Sequence, residues 1–116
     1  MKHRAKIEIA RFTSQVEVVT RFYTDVLGQP PDSAHAGLAV FTTDHFVLLI
    51  HALPEADPEN PPSEDHIAFS SQSLDRDFHE LSTRYDVIAP PKEYPWGRSA
   101  YLRDPDGRLI EMSQES

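Results

Sequence analysis

Apolar and polar side chains alternate over residues 6–12, which predicts a strand with Ile7, Ile9 and Arg11 on one face and Glu8, Ala10 and Phe12 on the other. The period then lengthens. Ser14-Gln15-Val16-Glu17 has the form of a capping box, so a helix is expected to start there. Val16, Val19, Phe22, Tyr23 and Val26 follow at helical spacing as one apolar stripe, closed by Gly28. Pro30-Pro31 breaks any continuation. Residues 37–41 and 45–51 predict two strands around the turn Thr42-Thr43-Asp44. The second is apolar almost throughout, which places it centrally in a sheet with both faces covered. Residues 53–63 form a connector rich in proline and acid.

After the connector the pattern begins again. Residues 65–70 predict a strand, and Leu74, Phe78 and Leu81 give a second amphipathic helix after Gln72-Ser73. Residues 86–89, 97–103 and 108–113 predict three further strands. Glu8-Ile9-Ala10 aligns with His66-Ile67-Ala68, half the chain further on, and Thr13-Ser14-Gln15-Val16 aligns with Ser71-Gln72-Ser73-Leu74 without a gap. Aligning Asp44 with Asp106 puts Leu49 opposite Glu111. The chain therefore reads as an internal duplication of a β-α-β-β-β module, residues 1–57 and 64–116, within one α+β domain.

Asp104-Pro105-Asp106-Gly107 is a turn between two apolar runs, with proline fixing φ and glycine supplying conformational freedom. The strand that leaves it carries Glu111 on the same face as Leu109. A carboxylate inside an apolar strand needs a partner: a cation, a metal, or water in a cavity. Arg98, Arg103 and His66 are candidate cations. Tyr94-Pro95-Trp96-Gly97-Arg98 sets two aromatic rings and a guanidinium on the approach to a strand. That segment reads either as the lining of a ligand pocket, through stacking and a charged hydrogen-bond fork, or as a plug over the mouth of the sheet.

Composition narrows the function classes. At 116 residues the chain fits one domain with a real core, and the lack of cysteine excludes disulfides and thiolate metal sites. Nineteen acidic against 11 basic residues, a formal charge of -8, argue against nucleic acid as a partner. No signal-like or membrane-spanning run is present, so a soluble cytoplasmic protein without a membrane partner is expected. The ten prolines, concentrated in residues 54–62 and 90–95, are expected to mark ordered surface loops.

The doubled module, together with Phe22-Tyr23-x-x-Val26-Leu27-Gly28, Asp65-His66-Ile67-Ala68-Phe69 and Asp104-Pro105-Asp106-Gly107-x-Leu109-Ile110-Glu111, resembles the vicinal oxygen chelate superfamily of glyoxalase I, bleomycin-resistance proteins and extradiol dioxygenases. The resemblance implies two curved, cup-like mixed sheets flanked by helices, and a homodimer. It also implies four metal-ligand positions, which here are Glu8, Leu49, His66 and Glu111. Leu49 cannot coordinate, so Glu8, His66 and Glu111 form an incomplete set for Mn, Fe(II), Zn or Ni. His51 shares Leu49's face but stands two residues along the strand, and reads as a strand-end residue reaching water. Two functions follow from the resemblance. One is a metal-dependent enzyme acting on vicinal oxygens, with Glu8 or Glu111 as ligand or catalytic base. The other, favoured by Leu49 and the negative charge, is a small-molecule-binding protein with Phe12, Tyr94, Trp96 and Arg98 around its ligand. Plainer readings stand beside these: His66 as a hydrogen-bonded histidine at a cavity rim, Glu8 as a cavity-lining or solvated carboxylate, and Glu111 as half of an ion pair.

Overall fold

The computed structural model describes residues 7–55 and 57–115; Lys6, the start of the first predicted strand, lies outside them. The first module contributes β1 (Ile7–Thr13), α1 (Val16–Leu27), β2 (Ser33–His35), β3 (Leu38–Thr42) and β4 (Phe46–Ala52). The second contributes β5 (His66–Ser71), α2 (Leu74–Ser82), β6 (Asp86–Tyr94), β7 (Gly97–Arg103) and β8 (Leu109–Gln114). Their strands form one eight-stranded sheet in the order β2-β3-β4-β1-β5-β8-β7-β6. It is mixed: β1 runs parallel to β4 and β5 to β8, while β1 and β5 meet antiparallel. At that seam Ile9 stands opposite Ile67, its own counterpart in the duplication, so an approximate two-fold axis passes between them. The two modules thus join within one chain.

Helices cover one face of the sheet. Under α1, Val16, Val19, Tyr23 and Leu27 pack on Ala39, Phe41, Leu48 and Ile50. Beneath α2, Leu74, Phe78 and Leu81 pack on Ala100, Leu102 and Met112. The alternation predicted for β1 is observed: Ile9 joins the core under α1, and Glu8, Ala10 and Phe12 face away from it into a cavity. The turn at 104–107 also forms as its residues dictate. Gly107 adopts φ 87, and the Asp104 carboxylate accepts from the backbone N–H groups of Asp106 and Arg108.

Three expectations need correction, and one strand was missed. The capping box at Ser14–Glu17 does not form, because Gln15 is the capping residue and Glu17 then sits one position too early to reach back. Instead, Thr13 Oγ1 accepts from the Gln15 backbone N–H at 2.9 Å. Phe22 and Val26 belong to the exposed side of α1, at 59% and 60% exposure; the packed stripe lies one position round, on Tyr23 and Leu27. Strand β2 was not legible, since all three of its residues are exposed and give no apolar pattern. Strand β6 runs on to Tyr94 rather than ending at 89. It is an edge strand paired with β7 alone, and its register shifts near Ala89 accommodate Pro90-Pro91, which have no N–H to donate. Among the described residues no helix is long and apolar enough to cross a membrane.

Candidate functional site

The face left bare by the helices encloses a cavity of about 1180 Å³. Its floor crosses the seam: Glu8, Ala10 and Phe12 come from β1, Leu49 and His51 from β4, His66 and Ala68 from β5, Ser99 and Tyr101 from β7, and Glu111 from β8. Residues of the proline-rich connector, Pro61 and Pro62 among them, add part of the wall, and Trp96 and Arg98 stand at the β6–β7 turn.

Glu111 is held from both neighbouring strands in this cup. Its strand lies between β5 and β7, with Glu111 level with Ala68 on one side and Tyr101 on the other. Strand alternation then aims Ser99, Tyr101 and His66 at the same face. His66 Nε2 lies 2.9 Å from Glu111 Oε1, and Ser99 Oγ donates to Oε2 at 2.8 Å. Both side chains of the His–Glu pair are only 8% exposed. Of the candidate cations, His66 is the partner. Arg98 is instead engaged by Asp75 at 2.9 Å and Glu93 at 3.5 Å, and Arg103 by Glu64 at 2.8 Å.

The other His66 nitrogen, Nδ1, lies 2.8 Å from the Glu64 backbone carbonyl. A carbonyl only accepts, and so does an ionised carboxylate, so the ring satisfies both neighbours best when both nitrogens carry protons. Burial works against the imidazolium, but the hydrogen bonds to Glu111 and to Glu64, with the Glu111 charge, raise the His66 pKa above its ordinary 6.5. Tyr101 is pushed the other way in charge. Burial, and then the negative charge of Glu111, raise its phenol pKa strongly and hold it neutral.

The remaining sequence-predicted residues are dispersed around this centre. Glu8 lines the cup half-buried, level with Ala68 across the seam. The Phe12 ring lies 5.2 Å from His51 and 6.1 Å from His66. His51, next to the last residue of β4, is half-buried beside this ring and lines the cup. Trp96, 57% exposed, lines the cup and stacks on Tyr94 at 4.7 Å with the planes 1° apart. Tyr94 is buried behind it, also edge-on to Tyr101 at 6.0 Å, and faces a smaller groove beside the connector. Ser99 and Tyr101 went unnoticed in the sequence, although their alternation in 97–103 was the available signal.

A family model described as the glyoxalase/bleomycin resistance protein/dioxygenase superfamily matches residues 7–112. The chain belongs to this superfamily. One relative, biphenyl-2,3-diol 1,2-dioxygenase 3 of Rhodococcus globerulus, is 32% identical over 109 residues, covering 86% of this chain. The chain spans 57% of the length of that relative. Among solved structures, a protein described as an NAD-dependent benzaldehyde dehydrogenase from Legionella pneumophila matches with a TM-score of 0.76 at 18% identity, covering 95% of this chain and 99% of that one. A glyoxalase/bleomycin resistance protein/dioxygenase superfamily member from Vibrio splendidus matches at 0.71 and 14% identity, covering 98% and 100%. At these identities the structural matches establish a shared fold.

The superfamily implies a divalent metal in the cup, and the donor chemistry can be tested against that. Leu49 presents only carbon. Both Glu111 oxygens are engaged by His66 and Ser99, and the His66 nitrogens by Glu111 and Glu64. No group of three or more histidine or carboxylate side chains converges as a metal site among the described residues. So arranged, these side chains do not fit a resident metal.

The pair has a measurable signature. The His66 ring, followed by NMR, is expected to titrate above 6.5, and Glu111→Gln to lower that value. Because the folded pKa is raised, the pair's contribution to stability is complete below about 6.5 and is lost as pH rises through the folded value. Urea midpoints should therefore fall over that window in the wild type and less in Glu111→Gln. An imidazole titrating at or below 6.5 contradicts the assignment.

Proposed function

We propose that this chain is a small-molecule-binding protein whose ligand enters the cup and meets the His66–Glu111 pair at its floor. The cavity carries this reading: at about 1180 Å³ it has room for a drug-sized compound, with apolar walls and a few convergent polar groups. Phe12 and Trp96 supply aromatic surface, and Tyr94 acts by holding the Trp96 ring in place. Arg98 sits at the rim with its guanidinium already bound to acids, so its part is to fix the β6–β7 turn to α2 through Asp75.

A second reading is favoured by the Rhodococcus dioxygenase relative: a metal-dependent enzyme acting on vicinal oxygens, with Glu8 or Glu111 as base. It requires Glu8, His66 and Glu111 to converge on Mn, Fe(II), Zn or Ni, and therefore requires the His66–Glu111 hydrogen bond to open. The closed network supports the binding reading over this one. Self-association into a two-fold dimer belongs to the proposal as well, with Val18, Phe22 and Val26 as an exposed apolar stripe along α1.

Trp96 is the only tryptophan, so its emission reports occupancy of the cup without a label. Screening small aromatic compounds should find ligands that change this emission, and Trp96→Ala should weaken them by about 1–3 kcal/mol. A ligand that saturates the protein with no change in emission would place binding elsewhere. For the assembly, a sedimentation mass of one 13.2 kDa chain at micromolar concentration contradicts the dimer.

A further inference from the structure

The connector between β4 and β5 is tied down at both ends and at one point between them. At the first end the Ala52 N–H donates to the Gly37 carbonyl at 2.8 Å. At the second, Arg103 of β7 grips Glu64 at 2.8 Å, and Asp65 pairs with Arg11 of β1 at 3.1 Å and accepts from the Phe12 backbone N–H at 2.8 Å. Between the ends the chain turns at 57–60. The Asp57 carboxylate accepts from the Glu59 N–H at 2.9 Å, and its carbonyl from the Asn60 N–H at 3.0 Å. This turn presents Glu59 to Lys92 of β6, whose ammonium donates to the Glu59 carbonyl at 3.2 Å and lies 3.5 Å from its carboxylate. Among the described residues, no other hydrogen bond or ion pair joins residues 57–63 to the sheet.

That one contact holds a partition in place. Asn60, Pro61 and Pro62 line the cup and also line a groove of about 390 Å³ against Ile88, Pro90 and Pro91 of β6. Lys92 pairs with Ser99 on β7, and Ser99 with Ser113 on β8, so the contact stands level with the cup floor at Ser113. The partition is stiff, because Pro58, Pro61 and Pro62 fix φ and the Asp57 side chain braces its own turn. It therefore moves as a piece when it moves. The contact that restrains it is weak: the Lys92 and Glu59 side chains are 48% and 82% exposed, and a pair so open to water and salt contributes little. Anchored ends, a stiff middle and a weak hold are the parts of a gate.

Resting on the reading of the cup as a binding site, we propose that residues 57–63 are a strap that opens to admit ligand, with Lys92 as its clasp. Closed, the strap separates the cup from the groove beside β6. Released from Lys92, it swings about its anchored ends and joins the two spaces, which widens the way in for a bulky ligand.

The chain has no cysteine, so one introduced thiol reports access to the cup with no ligand needed. Ser113→Cys places it on the cup floor. Its rates of reaction with N-ethylmaleimide, which is small, and N-(1-pyrenyl)maleimide, which is bulky, are compared with and without Lys92→Gln. The bulky reagent should react about threefold faster once the clasp is removed, the change expected on losing an exposed ion pair. The small reagent needs no opening and should keep its rate. Salt at about 1 M should reproduce the gain while Lys92 is present and add nothing in Lys92→Gln. A bulky reagent indifferent to Lys92 makes the connector a fixed wall and overturns the gate. Equal acceleration of both reagents also overturns it, since Lys92 then only stabilises the fold. In both cases the reactive thiol leaves the binding reading standing. A thiol that neither reagent reaches overturns the gate together with that reading. Leu49→Cys, half-buried in the cup, serves as the reporter if Ser113→Cys does not fold.

Discussion

A carboxylate on an apolar strand sets the terms for the second half of this molecule. Glu111 is 6% exposed, and an ionised group so placed is tolerated only when its oxygens are met by donors. The donors come from two other strands, His66 from β5 and Ser99 from β7, so their contacts with Glu111 depend on the register of β8 with both neighbours. A slip of one residue would turn Glu111 towards α2 and the apolar cluster of Leu74, Phe78 and Met112. His66 is held in turn through its Nδ1 by the carbonyl of Glu64, whose carboxylate is gripped by Arg103 and has a lowered pKa for that reason. Register, ion pair and cup floor are one constraint.

The seam between β1 and β5 gives that constraint its setting. By pairing antiparallel about Ile9 and Ile67, the two modules lay their bare faces side by side, and a single chain completes the concave surface. The duplicated backbone offers equivalent positions in each half, and the side chains there have diverged. Glu8 answers to His66, Leu49 to Glu111, and the Phe12–His51 pair to Ser70 and Ser113. Where a symmetric site would gather four ligands, the first half contributes carbon and a carboxylate level with Ala68, and the second a closed hydrogen-bonded pair.

Much of this was legible in the residues. The duplication, both helices, the turn at 104–107 and the need of Glu111 for a partner follow from periodicity, glycine and proline chemistry, and the cost of burying charge. What escaped has physical causes. Strand β2 has no buried side, and β6 continues through Pro90-Pro91 because an edge strand with register shifts tolerates missing donors. The stripe on α1 was set one position off, since Phe22 and Val26 are as apolar as the Tyr23 and Leu27 that pack. Which cation would meet Glu111 was undetermined because Arg98, Arg103 and His66 all had reach in sequence; the geometry of α2 and of Glu64 removes the two arginines. Tyr94 and Trp96 were read as equals, whereas stacking places one behind the other.

The central claim is that His66 and Glu111 act as one buried unit. A double-mutant cycle measures this most directly: urea unfolding at pH 6 of the wild type, His66→Gln, Glu111→Gln and the double variant. A coupling free energy of about 1–3 kcal/mol is expected, each single change leaving the other group buried without its partner. Single effects that add to within about 0.5 kcal/mol would mean that the two side chains are neighbours without being partners.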